Sequence, residues 1–117
     1  MTKAEELKAK KCVPCEGNVE PLPGSVAKIY LEDLPGWTLS AGATSINKLF
    51  VMKDFPAAVR LIQAIASVAE AEDHHPDIHL TGYRKLTIEI STHSIGGLSE
   101  NDFILAVKID ALPKTLK

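Results

Sequence analysis

The sequence predicts an α+β fold in which one four-stranded antiparallel sheet has three helices packed on one face. The predicted elements follow the order helix, strand, strand, helix, strand, strand, helix. Apolar residues recur every three or four positions across residues 54–73, whereas residues 85–92 alternate between apolar and polar side chains. A chain of 117 residues with 45% hydrophobic and 24% charged side chains can bury one modest core. We therefore expect a single globular domain.

Residues 1–23 are predicted to form an extended N-terminal arm, and residues 24–117 the folded domain. The arm is rich in lysine and glutamate, shows neither helical nor strand periodicity, and ends with two prolines. Its two cysteines, Cys12 and Cys15, form half of a zinc-ribbon ligand set, with no second pair downstream. We expect a solvent-exposed arm, and zinc shared between subunits is the alternative.

The first half of the domain contains a short helix and a hairpin. Ser25 can cap the helix, and Pro35-Gly36 ends it because these residues cannot continue helical geometry. Residues 37–40 and 45–52 then form two strands around a turn that contains Gly42. This hairpin supplies the first two strands of the sheet.

The second half begins with the longest helix, which Asp54 is placed to cap. Pro76 cannot lie inside a helix and disfavours helical geometry in the residue before it. The helix should therefore end around residues 73–75. A short strand over residues 78–81 and a longer strand over residues 85–92 follow.

The last helix begins with a capping box. Ser99 is the predicted N-cap, Asp102 is its reciprocal partner, and Leu98 is placed to pack against Phe103. The helix should run to about Leu112. A small open sheet leaves edge strands unpaired, so we expect assembly into a homo-oligomer, either a dimer or a tetramer.

Composition narrows the classes of partner. A net charge of −2 and a pI near 6.1 provide no basic surface for nucleic acid or an anionic membrane. No apolar run reaches the roughly 20 residues of a membrane span, and the opening residues lack the apolar centre of a secretory signal. The low cysteine content agrees with a reducing compartment. We expect a cytoplasmic protein that binds neither nucleic acid nor membranes directly.

Three histidines lie at predicted junctions between elements. His74 and His75 end the long helix beside several carboxylates, and His93 ends the strand-like segment that follows. If the helix extends through His74, Glu70 lies one turn before it and can hold its imidazole. Histidine gains and loses protons near neutral pH, as elimination of water from a small polar molecule requires. We expect the imidazoles to converge on one cleft.

Structural roles compete with this interpretation. Two histidines at a helix end can interact with the helix dipole, and Asp102 can act as a cap. Tyr83 and Trp37 are expected to be half-buried core aromatics. A metal site is a further alternative, but adjacent histidines rarely reach one ion and the His-Glu-x-x-His spacing is absent, so we expect none. Its candidate ligands are His74, His75, His79, His93, Asp73 and Asp77.

Seven positions between residues 70 and 102 resemble the signature of the pterin-4a-carbinolamine dehydratase family. They are Glu70, His74, His75, Pro76, Tyr83, His93 and Asp102. Chance agreement at seven fixed spacings is improbable, so the match is specific. The order of helices and strands from about residue 24 to the end is also similar to that family, and the resemblance covers most of the chain.

The resemblance implies a hydro-lyase that dehydrates 4a-hydroxytetrahydrobiopterin to the quinonoid dihydropterin, without metal or organic cofactor. It implies that His74 and His93 are the acid and the base, in an order that stays open. It also implies that His75 binds the pterin and that Glu70 and Asp102 orient imidazoles. The implied pterin-binding residues are Asp73, His74, His75, Pro76, Ser91, Thr92, His93 and Ser94.

The resemblance also implies a tetramer built from dimers and a role in recycling tetrahydrobiopterin after aromatic amino-acid hydroxylation. One animal branch of that family serves as a dimerisation cofactor of a transcription factor, but residues 1–23 look unlike that branch. A non-catalytic binding or assembly module on the same fold, including one linked to molybdopterin metabolism, is the alternative function. The set of three histidines with carboxylate partners argues against it.

Overall fold

The computed structural model describes residues 3–12 and 20–117. Its helices are α1 (Lys3–Ala9), α2 (Gly24–Leu31), α3 (Phe55–Glu72) and α4 (Glu100–Asp110), and its strands are β1 (Thr38–Leu39), β2 (Ile46–Val51), β3 (Asp77–Thr81) and β4 (Lys85–Ile90). Short 3₁₀ turns cover Ala41–Ala43 and His93–Ile95. The α+β class and the element order from α2 onward are confirmed. Within the described residues, no helix is long and apolar enough to cross a membrane.

The four strands form one antiparallel sheet in the order β1, β2, β4, β3. At its centre, Phe50 of β2 pairs with Leu86 of β4, and Ile46 pairs with Ile90. These four side chains and Ile88 are at most 4% exposed and join one core with the buried residues of α3 and α4. The core therefore lies between one face of the sheet and the helices.

The helix α3 leads directly into the first two histidines. The Asp54 carboxylate accepts a hydrogen bond from the Ala57 N–H at 2.9 Å, which confirms Asp54 as the N-cap. The buried residues of the helix are Ala57, Ala58, Leu61, Ile65 and Ala69, which form one apolar face. The C-cap, Asp73, adopts a left-handed backbone conformation with φ 52°. The helix therefore ends where the proline rule predicts, and His74 begins a new direction of the chain.

The helix α1 corrects the prediction that residues 1–23 form an extended arm. Residues 3–9 are helical, and Leu7 is only 1% exposed because α1 packs against α4. A helix of seven residues is not stable alone, so it depends on this tertiary contact, which local periodicity does not reveal. Cys12 is also buried rather than exposed. Cys15 lies outside the described residues.

Several predicted boundaries are wrong by a few residues. The helix α2 begins at Gly24, so Ser25 lies inside its first turn, and Pro23 occupies the N-cap position with extended backbone geometry. The strand β4 ends at Ile90, because Thr92 begins a 3₁₀ turn. Pro23, whose ring fixes φ, thus sets the first boundary, and the 3₁₀ turn that begins after Thr92 sets the second.

Candidate active site

His74 and Asp102 form a buried pair where the end of α3 meets the start of α4. His74 Nε2 lies 2.6 Å from Asp102 Oδ1. The side chain of His74 is 11% exposed, and that of Asp102 is fully buried. A short hydrogen bond to a carboxylate out of contact with water is strong, so it holds the imidazole in one orientation.

The second oxygen of Asp102 binds the first turn of α4 and the loop before it. Asp102 Oδ2 accepts hydrogen bonds from the Ser99 N–H at 2.8 Å and from the Thr92 hydroxyl at 2.9 Å. The contact with Ser99 belongs to the predicted capping box. Asp102 therefore caps α4 and contacts an imidazole at the same time, so the two roles weighed for it are compatible.

These contacts indicate which nitrogen of neutral His74 carries the proton. A carboxylate offers only acceptors, and Asp102 Oδ1 is the oxygen that faces His74. We therefore assign the proton to Nε2, which donates to Asp102. Nδ1 is then the ring nitrogen that can accept a proton from a bound molecule.

His75 pairs with Glu70, which corrects the predicted contact between Glu70 and His74. His75 Nε2 lies within hydrogen-bond distance of Glu70 Oε2, and the two side chains are 57% and 76% exposed. The predicted contact requires a helix that continues through His74. Because Asp73 turns the chain, the i, i+4 geometry is lost and Glu70 contacts the following residue instead.

His93 lies in a cleft beside the sheet, on the 3₁₀ turn that follows β4. The cleft has a volume of about 340 Å³ and is lined by Thr44, Ser45, Asp77, Glu89, Ser91, Thr92, His93, Gly96 and Gly97. Thr92 lines this cleft, and its hydroxyl donates to Asp102. The cleft of His93 and the buried pair of His74 are therefore joined through one threonine.

Only part of the predicted pterin-binding set lines this cleft. Residues 91–93 do so, whereas Ser94 and residues 73–76 do not. Asp77 directly follows the second group and lines the cleft. Residues 73–76 therefore lead up to the cleft at the start of β3, whereas residues 91–93 line it.

Ser45 and Glu89 line the cleft although no sequence motif includes them. The Ser45 hydroxyl donates to Glu89 Oε2 at 3.0 Å, and Glu89 lies opposite Asp77 in the β3–β4 ladder. Alternation in β4 places Glu89 on the face away from the core, which is the only local signal for it. Its approach to Ser45 depends on the register between β2 and β4, strands that are distant in sequence.

The alternative roles considered from the sequence are metal binding and, for Trp37 and Tyr83, packing in the core. Within residues 3–12 and 20–117, no group of three or more His, Cys, Asp or Glu side chains could hold a metal ion. Trp37 is a core aromatic as predicted, but at 5% exposure it is buried rather than half-buried, and its indole N–H donates to Asp110. Tyr83 is 58% exposed because it occupies the β3–β4 turn with φ 55°, so the prediction that it is half-buried is wrong.

A family model and individual relatives of this chain indicate the same protein family. The family model described as pterin 4 alpha carbinolamine dehydratase matches residues 20–112. A Halorhodospira halophila protein with the provisional name pterin-4-alpha-carbinolamine dehydratase is 47% identical over 106 residues, which cover 91% of this chain and 96% of the relative. The mitochondrial pterin-4-alpha-carbinolamine dehydratase 2 of Arabidopsis thaliana is 41% identical over 110 residues, 92% of this chain and 59% of the plant protein.

A solved structure agrees with the fold. The crystal structure of a transcriptional coactivator/pterin dehydratase from Brucella melitensis superimposes with a TM-score of 0.73 at 33% sequence identity. The superposition covers 79% of this chain and 97% of that chain. The arrangement of one four-stranded antiparallel sheet with packed helices is therefore shared with this protein.

Proposed function

Because the chain belongs to the pterin 4 alpha carbinolamine dehydratase family, a family of hydro-lyases, we propose that it dehydrates 4a-hydroxytetrahydropterin to the quinonoid dihydropterin. The main support is the buried His74–Asp102 pair, which Thr92 joins to the cleft that holds His93. One threonine hydroxyl therefore connects the carboxylate that contacts the first imidazole to the cleft that holds the second. This is a suitable arrangement for a reaction that needs one acid and one base.

The reaction requires two proton transfers and no change of oxidation state. One group donates a proton to the 4a-hydroxyl, the carbon–oxygen bond breaks, and water leaves. A second group accepts a proton from a ring nitrogen, whose electron pair forms the new double bond. One proton is supplied and one is removed, so the enzyme returns to its starting state after the proton is passed on.

His74 is suited to hold a proton during the reaction. When Nδ1 accepts a proton, the imidazole becomes a cation, and the buried carboxylate of Asp102 lies 2.6 Å from its other nitrogen. That carboxylate stabilises the cation by direct charge attraction in a site with little water. His93 is exposed in the cleft, so it can exchange protons with solvent and restore the starting state. Either histidine can serve as the acid of the first step.

The substrate is proposed to bind between the cleft and the α3–β3 junction. A cleft of about 340 Å³ lies within the usual size range of small-molecule pockets. Residues 91–94 and 73–76 are the proposed binding residues, with His75 contacting the pterin and Glu70 orienting the His75 ring. The exposure of the His75 ring leaves it accessible to a ligand.

The proposed chemistry uses only protein acids and bases, so we expect activity without metal or organic cofactor. Its proposed role is the recycling of tetrahydrobiopterin, and its proposed assembly is a homotetramer. Among the described residues, strands β1 and β3 are the edges of the sheet, and their outer backbone groups are the proposed contacts to a second copy. Light scattering of the purified protein measures this assembly, and a monomer across micromolar concentrations contradicts it.

Stopped-flow measurement of 4a-hydroxytetrahydropterin decay tests the function. Wild-type protein should accelerate the decay above its spontaneous rate, also after dialysis against a chelator. His74→Ala and His93→Ala should each reduce kcat by roughly 100-fold or more. His79→Ala is the matched control, because His79 is an exposed histidine on β3 outside the cleft lining. Wild-type protein that does not exceed the spontaneous rate excludes the proposed function.

A further inference from the structure

Glu72, the last residue of α3, accepts two hydrogen bonds that no proton-transfer step uses. The Cys12 N–H donates to Glu72 Oε1 at 2.8 Å, and Lys108 Nζ donates to Glu72 Oε2 at 2.7 Å. The Glu72 side chain is only 9% exposed. Lys108 belongs to α4, so the carboxylate connects the end of α3 with both α4 and the N-terminal segment, residues 3–12.

The N-terminal segment also contacts the beginning of α4. The Cys12 thiol donates to the Asn101 carbonyl at 3.5 Å, and Leu7 of α1 is buried where α1 packs against α4. Cys12 therefore bridges the residue before Asp102 and the carboxylate of Glu72. Its two contacts lie on the same two helix ends that the His74–Asp102 hydrogen bond spans.

The positions of these contacts suggest a role for them. Glu72 lies two residues before His74, and the strength of a hydrogen bond depends steeply on its distance and angle. We propose that Glu72, held by Cys12 and Lys108, is a positioning residue that sets the end of α3 so that His74 meets Asp102. This inference rests on the proposed function for its kinetic consequence, while its structural consequence is independent of catalysis.

The charge state of the two groups supports a positioning role. Burial opposes ionisation of Glu72, but the hydrogen bonds from Lys108 and the Cys12 N–H outweigh it, so the pKa of Glu72 is lowered. Burial, followed by the neighbouring Glu72, raises the pKa of the Cys12 thiol to about 12. Cys12 therefore stays a thiol at neutral pH and contributes through its backbone N–H, its thiol hydrogen bond to Asn101 and its packing, not as a nucleophile or thiolate ligand.

The variant Glu72→Gln tests the proposal, because glutamine keeps the size and one acceptor oxygen but loses the charge that attracts Lys108. We expect kcat to fall roughly 10- to 100-fold, with KM changed less than about twofold, since Glu72 does not line the cleft. The ¹⁵N chemical shifts of the two His74 ring nitrogens should move closer together, because the ring loses its fixed tautomer. Lys108→Gln should have the same effects, and Lys108→Arg should retain wild-type values.

Lys10→Ala is the matched control. It removes a hydrogen-bonded ion pair between the N-terminal segment and Glu100 of α4 at 2.9 Å, without touching the end of α3. It should leave kcat and the His74 ring shifts unchanged. The circular dichroism spectrum establishes that each variant is folded, and Lys108→Gln provides the same test should Glu72→Gln not fold.

The two measurements separate this inference from the proposed function. Moved His74 ring shifts in Glu72→Gln or Lys108→Gln, with Lys10→Ala unchanged, support positioning even where wild-type protein fails to accelerate pterin dehydration. Unchanged ring shifts in the folded variants overturn positioning, even where the wild-type enzyme is active.

Discussion

Two neighbouring histidines, each paired with a carboxylate, lie in opposite environments in this protein. The His74–Asp102 pair has side-chain exposures of 11% and 0%, whereas the His75–Glu70 pair has exposures of 57% and 76%. The buried carboxylate accepts two further hydrogen bonds from protein donors. Similar chemical groups at adjacent positions therefore produce one pre-organised pair and one pair that water and ligands can reach.

The difference originates at Asp73. Its left-handed conformation ends α3 and turns the next residues away from the helix axis. His74 consequently reaches Asp102 of α4, while His75 stays on the surface beside Glu70. A buried pair is rigid and costly to break, because removal of one partner leaves the other without compensation. An exposed pair contributes about 0–1 kcal/mol and rearranges easily.

The largest predicted effect is on stability when the buried carboxylate is removed. Asp102→Ala leaves His74, the Ser99 N–H and the Thr92 hydroxyl without their shared acceptor. Because each of these three buried donors loses its partner, we expect the free energy of unfolding in urea to fall by about 3–5 kcal/mol. Glu70→Ala is the control and should change it by less than about 1 kcal/mol. Equal losses in the two variants would show that burial does not distinguish the pairs.

A smaller loss is expected when only one donor to Asp102 is removed. Thr92→Val keeps the shape of the side chain but deletes the hydroxyl, which donates to Asp102 Oδ2 at 2.9 Å and also forms a hydrogen bond with the Ser99 hydroxyl at 2.8 Å. Loss of a hydrogen bond to a charged group should lower the free energy of unfolding by about 2 kcal/mol. Thr87→Val is the control, because Thr87 lies on the face of β4 that points away from the core. A neutral result for Thr92→Val would mean that Asp102 does not need this donor.

Glu72 provides an intermediate case that responds to pH. At neutral pH, Glu72→Gln should lower the free energy of unfolding by about 1 kcal/mol. The loss is small because the Lys108 partner is partly exposed to water. In the folded protein, the pKa of Glu72 lies below its ordinary value of 4.5. Its stabilisation is therefore complete above pH 4.5 and is lost as pH falls through the lower, folded-state value. Urea unfolding of both proteins across this range measures the difference, which should shrink on acidification; a constant difference contradicts the prediction.

Much of the fold follows from local patterns in the chain. Asp54 and Ser99 mark the starts of α3 and α4 because capping chemistry involves residues within one turn. The alternation in β4 identifies its buried face because successive side chains of a strand point to opposite faces of the sheet, which is also a local property. By contrast, α1 escapes prediction, since seven residues become helical only through burial of Leu7 against a helix distant in sequence.

The candidate site is only partly predictable for the same physical reason. The spacing of the histidines identifies them, but the partner of each depends on where α3 ends and on what packs beside it. Glu70 is assigned to His74 by helical spacing, yet the turn at Asp73 gives it to His75. The lining by Ser45 and Glu89 likewise depends on strand register, which no local motif specifies.

The smallest predicted effect concerns the exposed pair during catalysis. Glu70→Gln keeps a hydrogen-bonding group beside His75 but removes the charge. Because the pair is largely exposed, the change should cost less than about 1 kcal/mol, equivalent to an increase in pterin KM of up to about fivefold, with kcat nearly unchanged. Stopped-flow kinetics with Asp102→Asn as the matched variant measures the contrast, since that change should reduce kcat far more than it changes KM. A loss of kcat in Glu70→Gln as large as that in Asp102→Asn would place both carboxylates in proton transfer, and the distinction between a catalytic buried pair and a ligand-binding exposed pair would be wrong.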